Sequence, residues 1–381
     1  AVCRGQYHGW LKENIGGHII RRNNIHHCEQ GGIIGRMGGV FSIIEDNHIH
    51  HINNMMEQGG AEIAGIKMHA AIDVTMRRNH IHHCTMGIWC DWEAQGTRLT
   101  QNLLHDNQKP AYAKSLEGGM MSQDIFVEVG HGPTLIDNNV MLSDASLRFA
   151  TEGVALVHNL ICGALTCVGD GTGWRYTPYH MPHRTEVMGF MTILHGDDRI
   201  YNNIFVQKWP SEDVIIPHDS DEGFDSENRK AGTWMFDEYP TYDEWISQFD
   251  FTKPVDMKKL EPVHFGHLPV WIEGNVYLNG AEACKNEVNG LVISDKEAKV
   301  DLVEKEGSYY LDTNVYDLVG EFKDRMIHSD ILGKAFEPEQ RFENPDGTAI
   351  QFDKDYFGGH RGMDVIPGPF AQAEDAKKVL F

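Results

Sequence analysis

A short unit of polar and apolar positions recurs along the first half of the chain. The text Asn-Asn-Ile-His-His-Cys that begins at Asn23 returns, with small changes, at Asn47 and at Asn79. Weaker copies begin at Gln101, Asn138, His158 and Asn202. The apolar anchors of the copies, from Ile25 to Leu160, are 24, 32, 22, 37 and 20 residues apart. A base period of 20 to 25 residues that carries two insertions indicates a solenoid.

The content of the repeats selects the type of solenoid. They contain short β-rich pieces such as Gly32-Ile33-Ile34, bounded by Gly and Asn, and lack the leucine frame and helical segments of leucine-rich repeats. We therefore predict an all-β fold, a right-handed parallel β-helix with long loop insertions. Each coil would add one strand to each of about three parallel sheets.

Two residue types in the repeat allow a structural and a chemical interpretation. Asn tolerates left-handed backbone geometry, and its amide can bond to the equivalent Asn of the next coil, so we interpret it as structural. The His-His-Cys stretches offer imidazole and thiolate, which are zinc ligands. Because adjacent residues of a strand point to opposite faces, and repetition alone explains the clustering, we predict no metal site.

The regular period ends near residue 206, which divides the chain into three parts. Residues 1–206 are predicted to form the coils that carry the catalytic carboxylates. Residues 207–270 form an acidic, Pro-containing excursion with a short helix near residues 242–249, and residues 271–381 contain further coils and a C-terminal tail.

Charge and cysteine content narrow the partners. With 33 basic and 56 acidic residues the net charge is −23, which disfavours nucleic acid and anionic membrane surfaces. No apolar run reaches the ~18 residues of a membrane span. Seven cysteines, an odd number without C-x-x-C pairs, favour a reducing compartment, so we predict a cytoplasmic location.

Outward-facing carboxylates are the main candidates for chemistry. Alternation along the strands places Ile88 and Cys90 inward, and Asp91 and Glu128 outward. If residues 108–122 are an insertion, Glu62, Asp91 and Glu128 lie 13, 10 and about 11 residues after their coil anchors, so we expect these three acids to stack. Adjacent coils are about 4.8 Å apart, close to the ~5 to 5.5 Å carboxyl separation of retaining glycosidases. An acidic outer ladder without catalytic function is the alternative.

Five further side chains are candidates for binding a substrate. Trp89 and Phe126 are predicted to share the outer face and to offer flat platforms for sugar rings. His131 closes the Glu128 strand. His180 and His183 lie in a segment rich in Pro, His and aromatic residues, 175–184, which could line a sugar pocket or serve only as a structural loop.

The text around the three acids resembles the β-xylosidases of glycoside hydrolase family 120. The resemblance rests on residues 62–67, 87–98 and 123–129 and on the His-Gly-Pro that starts at His131, and its most specific parts are Gly-Ile-Trp-x-Asp-Trp and Ala-Gln-Gly-Thr-Arg. It implies a retaining, exo-acting enzyme that needs no cofactor and releases xylose from the non-reducing ends of β-1,4-xylo-oligosaccharides. Asp91 matches the nucleophile, Glu128 the general acid/base and Glu62 a third acid that contacts substrate.

The resemblance also bears on partners. Members of the family are longer and carry earlier coils and a β-sandwich ahead of the matched segment. The resemblance therefore implies either that an N-terminal part, present as a separate polypeptide, completes the β-helix, or that the protein is a reduced relative, and we expect a homo-oligomer.

Two other functions remain open at this stage. One is a polysaccharide lyase that pairs calcium-binding acids with a basic residue, for which no basic residue stands out at a matching coil position. The other is a non-catalytic, carbohydrate-binding solenoid. The preference among xylose, arabinose and galactose is not fixed, because one hydroxymethyl group is worth only ~1 to 3 kcal/mol of discrimination.

Overall fold

The computed structural model describes residues 9–58, 62–109, 122–167, 176–209, 230–254 and 256–381. Most of the predicted insertion at 108–122, and residues 210–229 of the acidic excursion, lie outside these ranges. In the described part no helix is long and apolar enough to cross a membrane.

Six coils with three strands each form the body of the molecule. In chain order these strands are β1 (Ile19–Arg21), β2 (Asn24–Cys28), β3 (Gly31–Arg36), β4 (Ile43–Glu45), β5 (His48–Ile52), β6 (Ala64–His69), β7 (Thr75–Arg77), β8 (His80–Cys84), β9 (Ile88–Asp91), β10 (Thr97–Thr100), β11 (Leu103–His105), β12 (Ile125–Glu128), β13 (Thr134–Asp137), β14 (Val140–Met141), β15 (Ala145–Ala150), β16 (Val154–Val157), β17 (Leu160–Ile161) and β18 (Ala164–Cys167).

The chain continues with a hairpin, partial coils and a C-terminal segment. These contain β19 (Thr177–His180), β20 (Val187–Met191), β21 (Asp198–Tyr201), β22 (Ile204–Val206), α1 (Tyr242–Ser247), α2 (Met257–His264), β23 (Val270–Glu273), β24 (Val276–Leu278), β25 (Leu291–Ile293), β26 (Val300–Lys305), β27 (Ser308–Thr313), α3 (Val315–Val319), β28 (Asp324–Arg325), α4 (Ser329–Leu332) and β29 (Asp364–Val365). Short 3-10 turns lie at Trp234–Phe236 and Ala373–Lys377.

Equivalent strands of successive coils pair in parallel and build three sheets. Sheet A contains the first strand of each coil, from β1 to β23, sheet B the second strands, from β2 to β25, and sheet C the third strands, from β3 to β18. Inward side chains stack in columns and form the core. One column in sheet C consists of Ile33, Ile66, Ile88, Ile125 and Leu147.

An asparagine ladder runs beside sheet B. The side-chain amide of each Asn donates to the amide oxygen of the next, at 2.9 to 3.1 Å, through Asn23, Asn47, Asn79, Asn102, Asn139, Asn159, Asn203 and Asn275. The left-handed residue is the one before each ladder Asn, with φ between 52° and 59° from Arg22 to Asn202. The hydrogen bonds between the side-chain amides are as expected. The left-handed backbone conformation was expected at the ladder Asn, but it occurs at the residue before it.

The paired histidines do not follow simple strand alternation. His27, His51 and His83 have φ values of 55°, 54° and 52°, so the backbone turns at the second histidine of each pair. Both rings of a pair then lie on the same side, for example with His82 Nδ1 2.7 Å from His83 Nδ1. The expectation that adjacent histidines point to opposite faces is therefore wrong.

The C-terminal segment covers two of the three sheets. Val300, Leu311 and Phe370 pack on outward residues of sheet B such as Leu103 and Val140. Phe342 and Phe352 pack in the same way on Leu135 and Val157 of sheet A. Sheet C instead carries a small apolar cluster that contains Trp89 and Phe126. The coils end at β25, and most of the remaining chain forms this outer layer.

Candidate active site

The register of sheet C brings Asp91 and Glu128 together. Cys90 of β9 pairs with Val127 of β12, and each acid is the next residue of its strand. Two outward columns result, Lys67–Trp89–Phe126–Arg148 and His69–Asp91–Glu128–Ala150. Neighbouring strands are about 4.8 Å apart, so the two carboxyl groups start from adjacent positions on one surface.

Both acids are largely enclosed. Asp91 is 8% exposed and Glu128 is 6% exposed. The indole Nε1 of Trp89 donates to Glu128 Oε2 at 3.0 Å, which crosses from one coil to the next. A hydrogen bond from a rigid, buried ring fixes the orientation of this carboxyl group.

A buried lysine, which the sequence argument missed, lies between two of the acids. Lys67 Nζ is 2.5 Å from Glu62 Oε2 and 2.8 Å from Asp91 Oδ2, and it lies 3.8 Å from the centre of the Trp89 ring. Lys67 is fully buried, and a buried ammonium ion requires such partners to offset its desolvation. The expectation that no basic residue lies at a matching coil position was therefore wrong. Strand alternation places Lys67 on the outer face, so the sequence contained a signal for it.

Glu62 is not part of the stack of acids. It lies two residues before β6, with φ of 76°, and reaches the site by its side chain alone. Partial burial raises the pKa of Glu62. The hydrogen bond and charge of Lys67, together with the nearby His69, lower it by more, so the pKa of Glu62 lies below its usual value. The predicted column of three carboxylates is wrong because the connection before β6 is long: β6 begins 12 residues after β5 ends, whereas β9 begins four residues after β8 ends.

His69 occupies the column position that was assigned to Glu62. It pairs with Asp91 in the sheet register, and its Nε2 is 3.0 Å from Asp91 Oδ2 and 3.6 Å from Glu62 Oε1. Lys67 and His69 therefore both contact the same oxygen of Asp91. Alternation from Lys67 would have placed His69 on the outer face, so a signal for this residue was present.

The predicted sugar platforms share the outer face but are not open to solvent. Trp89 is 3% exposed and Phe126 is fully buried, and their ring centres lie 5.4 Å apart. Lys67 lies over the ring of Trp89, and the Arg148 guanidinium lies 5.8 Å from the centre of the Phe126 ring. The nearest exposed aromatic side chain in sequence is Trp92, which is 41% exposed.

His131 has both ring nitrogens engaged by the protein. Its Nδ1 lies 2.5 Å from Glu152 Oε1, and its Nε2 lies 3.1 Å from the carbonyl oxygen of Thr177. Burial alone would lower the pKa of His131, but the charge and hydrogen bond of Glu152 raise it above its usual value. In this structure His131 anchors the hairpin β19–β20 to the coils.

His180 and His183 anchor the same hairpin from its other side. His180 is fully buried, with Nε2 3.1 Å from Glu93 Oε2 and Nδ1 2.9 Å from the carbonyl oxygen of Thr185. His183 bridges Asp73, at 3.0 Å from Nδ1, and Glu343, at 3.2 Å from Nε2. The three histidines fix a loop next to the turn that follows Asp91, and Arg175 lies outside the described residues.

Comparisons with known proteins agree with this architecture. The family model described as a right handed beta helix region matches residues 4–147. A solved structure, the complex of XylC with xylose, matches with a TM-score of 0.82 and 36% sequence identity, over 96% of this chain. The chain is a relative of XylC. The resemblance to the family 120 β-xylosidases and the right-handed parallel β-helix predicted from the sequence are thereby confirmed.

The similarity to XylC extends over only part of that protein. The match covers 52% of XylC, so this chain spans about half its length. A comparison with curated proteins gives no match.

Proposed function

We propose that this protein is a retaining, exo-acting β-xylosidase that releases xylose from the non-reducing ends of β-1,4-xylo-oligosaccharides. The observation that carries the proposal is the sheet register, which puts Asp91 and Glu128 side by side on an outer surface beside a buried cation. The similarity to XylC, whose solved structure holds xylose, supports the sugar class.

Asp91 would act as the nucleophile. Lys67 and His69 both contact Asp91 Oδ2, which orients Oδ1 for attack on the anomeric carbon. The bond from this carbon to the leaving oxygen breaks as the bond to Asp91 forms, and a covalent xylosyl-enzyme results. Lys67 pairs with both Glu62 and Asp91. Asp91 loses its negative charge when it is glycosylated, and the Lys67 ammonium group would then move toward Glu62.

Glu128 would act as the general acid and then as the base. Its Oε2 accepts the hydrogen bond from Trp89, so Oε1 is the oxygen that carries the proton. Protonation of the leaving oxygen by Glu128 accompanies the first step. In the second step the same carboxylate takes a proton from water, which attacks the anomeric carbon and releases xylose with retained configuration.

The two catalytic steps can be separated by the choice of substrate. Glu128→Gln should still be glycosylated by an aryl β-xyloside with a very acidic phenol, which needs no protonation, but should hydrolyse the intermediate slowly. Added azide should accelerate turnover and give a xylosyl azide, because this anion needs no base. Asp91→Asn should lose activity on every substrate, and azide should not restore it. Equal losses in both variants with no effect of azide would contradict these assignments.

Hydrolysis assays with and without a chelator distinguish the hydrolase from the two alternative functions. A calcium-dependent lyase would lose activity on chelation and release unsaturated products, and a binding solenoid would show no turnover. Lys67 Nζ already lies among the carboxylates that would bind calcium, and an ammonium ion and Ca²⁺ repel each other. The site therefore favours chelator-resistant hydrolysis.

Three further proposals concern the protein in its native setting. We keep the homo-oligomer, the separate N-terminal polypeptide and the cytoplasmic location as predictions. The described cysteines Cys28, Cys84, Cys90, Cys162, Cys167 and Cys284 are free thiols, which is compatible with a reducing compartment. Light scattering with intact-mass analysis of native material tests the first two predictions, and fractionation tests the third.

A further inference from the structure

Nine histidines form a stacked array on the outer side of sheet B, away from Asp91 and Glu128. We call it the imidazole ladder, and its members are His26, His27, His48, His50, His51, His80, His82, His83 and His105. The ring centres of His50 and His82 are 5.1 Å apart, those of His82 and His105 are 4.7 Å apart, and each pair is nearly parallel. Such spacing follows from equivalent positions in consecutive coils.

The middle of the ladder brings ring nitrogens close together. His48 Nε2 lies 2.8 Å from His82 Nε2, and His80 Nε2 lies 2.7 Å from His105 Nε2. Ring nitrogens of His48, His80 and His82 all lie within 4.8 Å of one another. Each close contact can hold only one proton, so the rings present lone pairs to a shared space.

Hydrogen bonds leave this cluster incompletely satisfied. Asp106 Oδ2 accepts a hydrogen bond from His105 Nδ1 at 2.6 Å, so His105 Nε2 carries a lone pair and accepts a hydrogen bond from His80 Nε2. His80 Nδ1 is then an acceptor, and it is buried without a hydrogen-bond partner in the described part of the chain. Protons alone therefore do not satisfy every nitrogen of the buried rings.

We propose that the imidazole ladder binds one divalent first-row transition-metal ion of the zinc type through His48, His80 and His82, while His105 accepts the hydrogen bond of His80 Nε2 and orients that ring. Neutral imidazole is a ligand that suits zinc, nickel and copper. Two nitrogens bound to one tetrahedral ion are about 3.3 Å apart. The 2.8 Å contact needs to open by only about half an ångström, which small ring rotations provide.

The surroundings of the four rings fit a metal site. A contact of 2.7 to 2.8 Å between two ring nitrogens requires that one of the two carries a lone pair, and it is such a lone pair that coordinates a metal ion. The His105–Asp106 contact has the form of the carboxylate–histidine pairs that orient metal ligands. His48 is only half-buried, which leaves a side for entry.

A bound ion would also connect the coils to the C-terminal layer. The ring of His80 lies 4.4 Å from that of Tyr309 and 4.7 Å from that of Phe381. Tyr309 in turn donates its backbone N–H to the carbonyl oxygen of Phe381 at 2.9 Å. Binding should therefore stabilise the attachment of this layer, with no role in the reaction at Asp91.

The first test uses the metal alone with the full chain, free of any affinity tag and stripped with chelator. Calorimetric titration with Zn²⁺ should give one ion per chain, and the ion should raise the thermal midpoint by several degrees. Co²⁺ in place of Zn²⁺ should produce the intense visible absorption of a tetrahedral site. No binding of Zn²⁺, or binding of Ca²⁺ equally well, would overturn the proposal.

Variants locate the ion. His82→Gln and His48→Gln should each weaken Zn²⁺ binding at least 100-fold, and Asp106→Asn about 10-fold. His27→Gln is the matched control, since it removes a stacked ring that is not a proposed ligand, and it should leave affinity unchanged. Ligand atoms of Glu62, His69 and Asp91 in the candidate active site also lie within 4.8 Å of one another, so Glu62→Gln tests binding there and should also leave affinity unchanged. If loss follows Glu62 rather than His82, the assignment is wrong. If His82→Gln does not fold, His48→Gln and the Co²⁺ spectrum of the unaltered chain decide.

Discussion

Lys67 balances the charge of the candidate site. Its ammonium group is buried and forms ion pairs with Glu62 and Asp91, so two carboxylates and one cation share a small volume. A pair of carboxylates without this cation would repel each other, and Asp91 would lose the ion pair that orients it. The position of the proposed nucleophile therefore depends on Lys67 as much as on its own strand.

Replacement of this lysine by Met should harm both stability and activity. We expect Lys67→Met to lower the free energy of unfolding by about 3 kcal/mol, because it leaves buried carboxylate charge unpaired. We expect kcat/KM for an aryl β-xyloside to fall at least ~100-fold, because Asp91 is no longer held in place. Denaturant titration and steady-state kinetics measure the two effects.

Two further variants separate charge from packing. The exposed Lys296→Met should change stability by less than about 0.5 kcal/mol. Adding Glu62→Gln to Lys67→Met should restore part of the lost stability, because one of the unpaired charges is gone. If Lys67→Met matches the unaltered protein in both assays, the ion pairs contribute nothing.

His183 gives the molecule a pH dependence that is separate from the catalytic acids. Its hydrogen bonds to Asp73 and then to Glu343, and their charges, raise the pKa of His183 to about 9 despite the opposing effect of burial. A raised histidine pKa stabilises the fold fully below the unfolded value of about 6.5, and this stabilisation is lost as the pH rises through about 9.

The His183→Gln variant tests this linkage. Relative to the variant, the unaltered protein should lose about 1 kcal/mol of unfolding free energy across this window, a figure discounted for the exposed part of the ring. Denaturant titrations at several pH values measure the difference between the two proteins. Parallel stability curves would contradict an ion pair at this position.

At the scale of elements, the asparagine ladder holds the coils in register. The amide of Asn139 donates to Leu99 O and Asn159 Oδ1, and its oxygen accepts from the backbone and side chain of Asn102. Asn139→Ala should cost about 3 kcal/mol, because it leaves several buried polar groups unpaired. The exposed Asn54→Ala is the control and should cost less than about 0.5 kcal/mol. Equal losses of unfolding free energy in the two variants, measured by denaturant titration, would show that the asparagine ladder does not stabilise the fold.

The fold was predictable because each coil repeats the same local choices. The recurring Asn, the alternation of Ile88, Trp89, Cys90 and Asp91, and the period of the anchors each reflect one strand per sheet per coil. Strand alternation was sufficient to put Asp91 and Glu128 on one outer surface. The helix expected near residues 242–249 is α1, and the capping box of Thr241 and Glu244 explains where it begins.

The remainder of the site depended on lengths and contacts that a repeat does not encode. Counting from anchors assumed equally long connections between the strands of each coil, so Glu62 was placed in the column that His69 occupies. Burial of Trp89 and Phe126 depends on side chains from other coils, such as Lys67 and Arg148. Strand alternation predicts which face of the sheet these rings lie on, but it does not predict whether they are exposed to solvent. The positive φ of the second histidine in each pair also has no signature in the strand pattern.

At the scale of the whole molecule, the C-terminal layer leaves sheet C to carry the site. This layer packs on sheets A and B through clusters whose members include Phe352 and Phe370. Phe370 is fully buried against the rings of Tyr316, Tyr356 and Phe357. The coils and this layer therefore share apolar surface and should unfold together.

A truncation in the middle of that cluster tests this coupling. Phe370→Ala should lower the free energy of unfolding by about 3 to 5 kcal/mol in one cooperative transition. The exposed Phe251→Ala should change it by less than about 0.5 kcal/mol. Two separate transitions in calorimetry of the unaltered chain would show that the layer and the coils are independent.

The central claim is that Asp91 forms a covalent bond to the sugar while Glu128, one strand away, handles the proton. A fluoro-xyloside inactivator that slows the second step should trap this species, and peptide mass spectrometry locates the bound sugar. We predict a single labelled residue, Asp91, with labelling abolished in Asp91→Asn. A label on another residue, or xyloside hydrolysis that proceeds with inversion and no trapped sugar, would contradict the account.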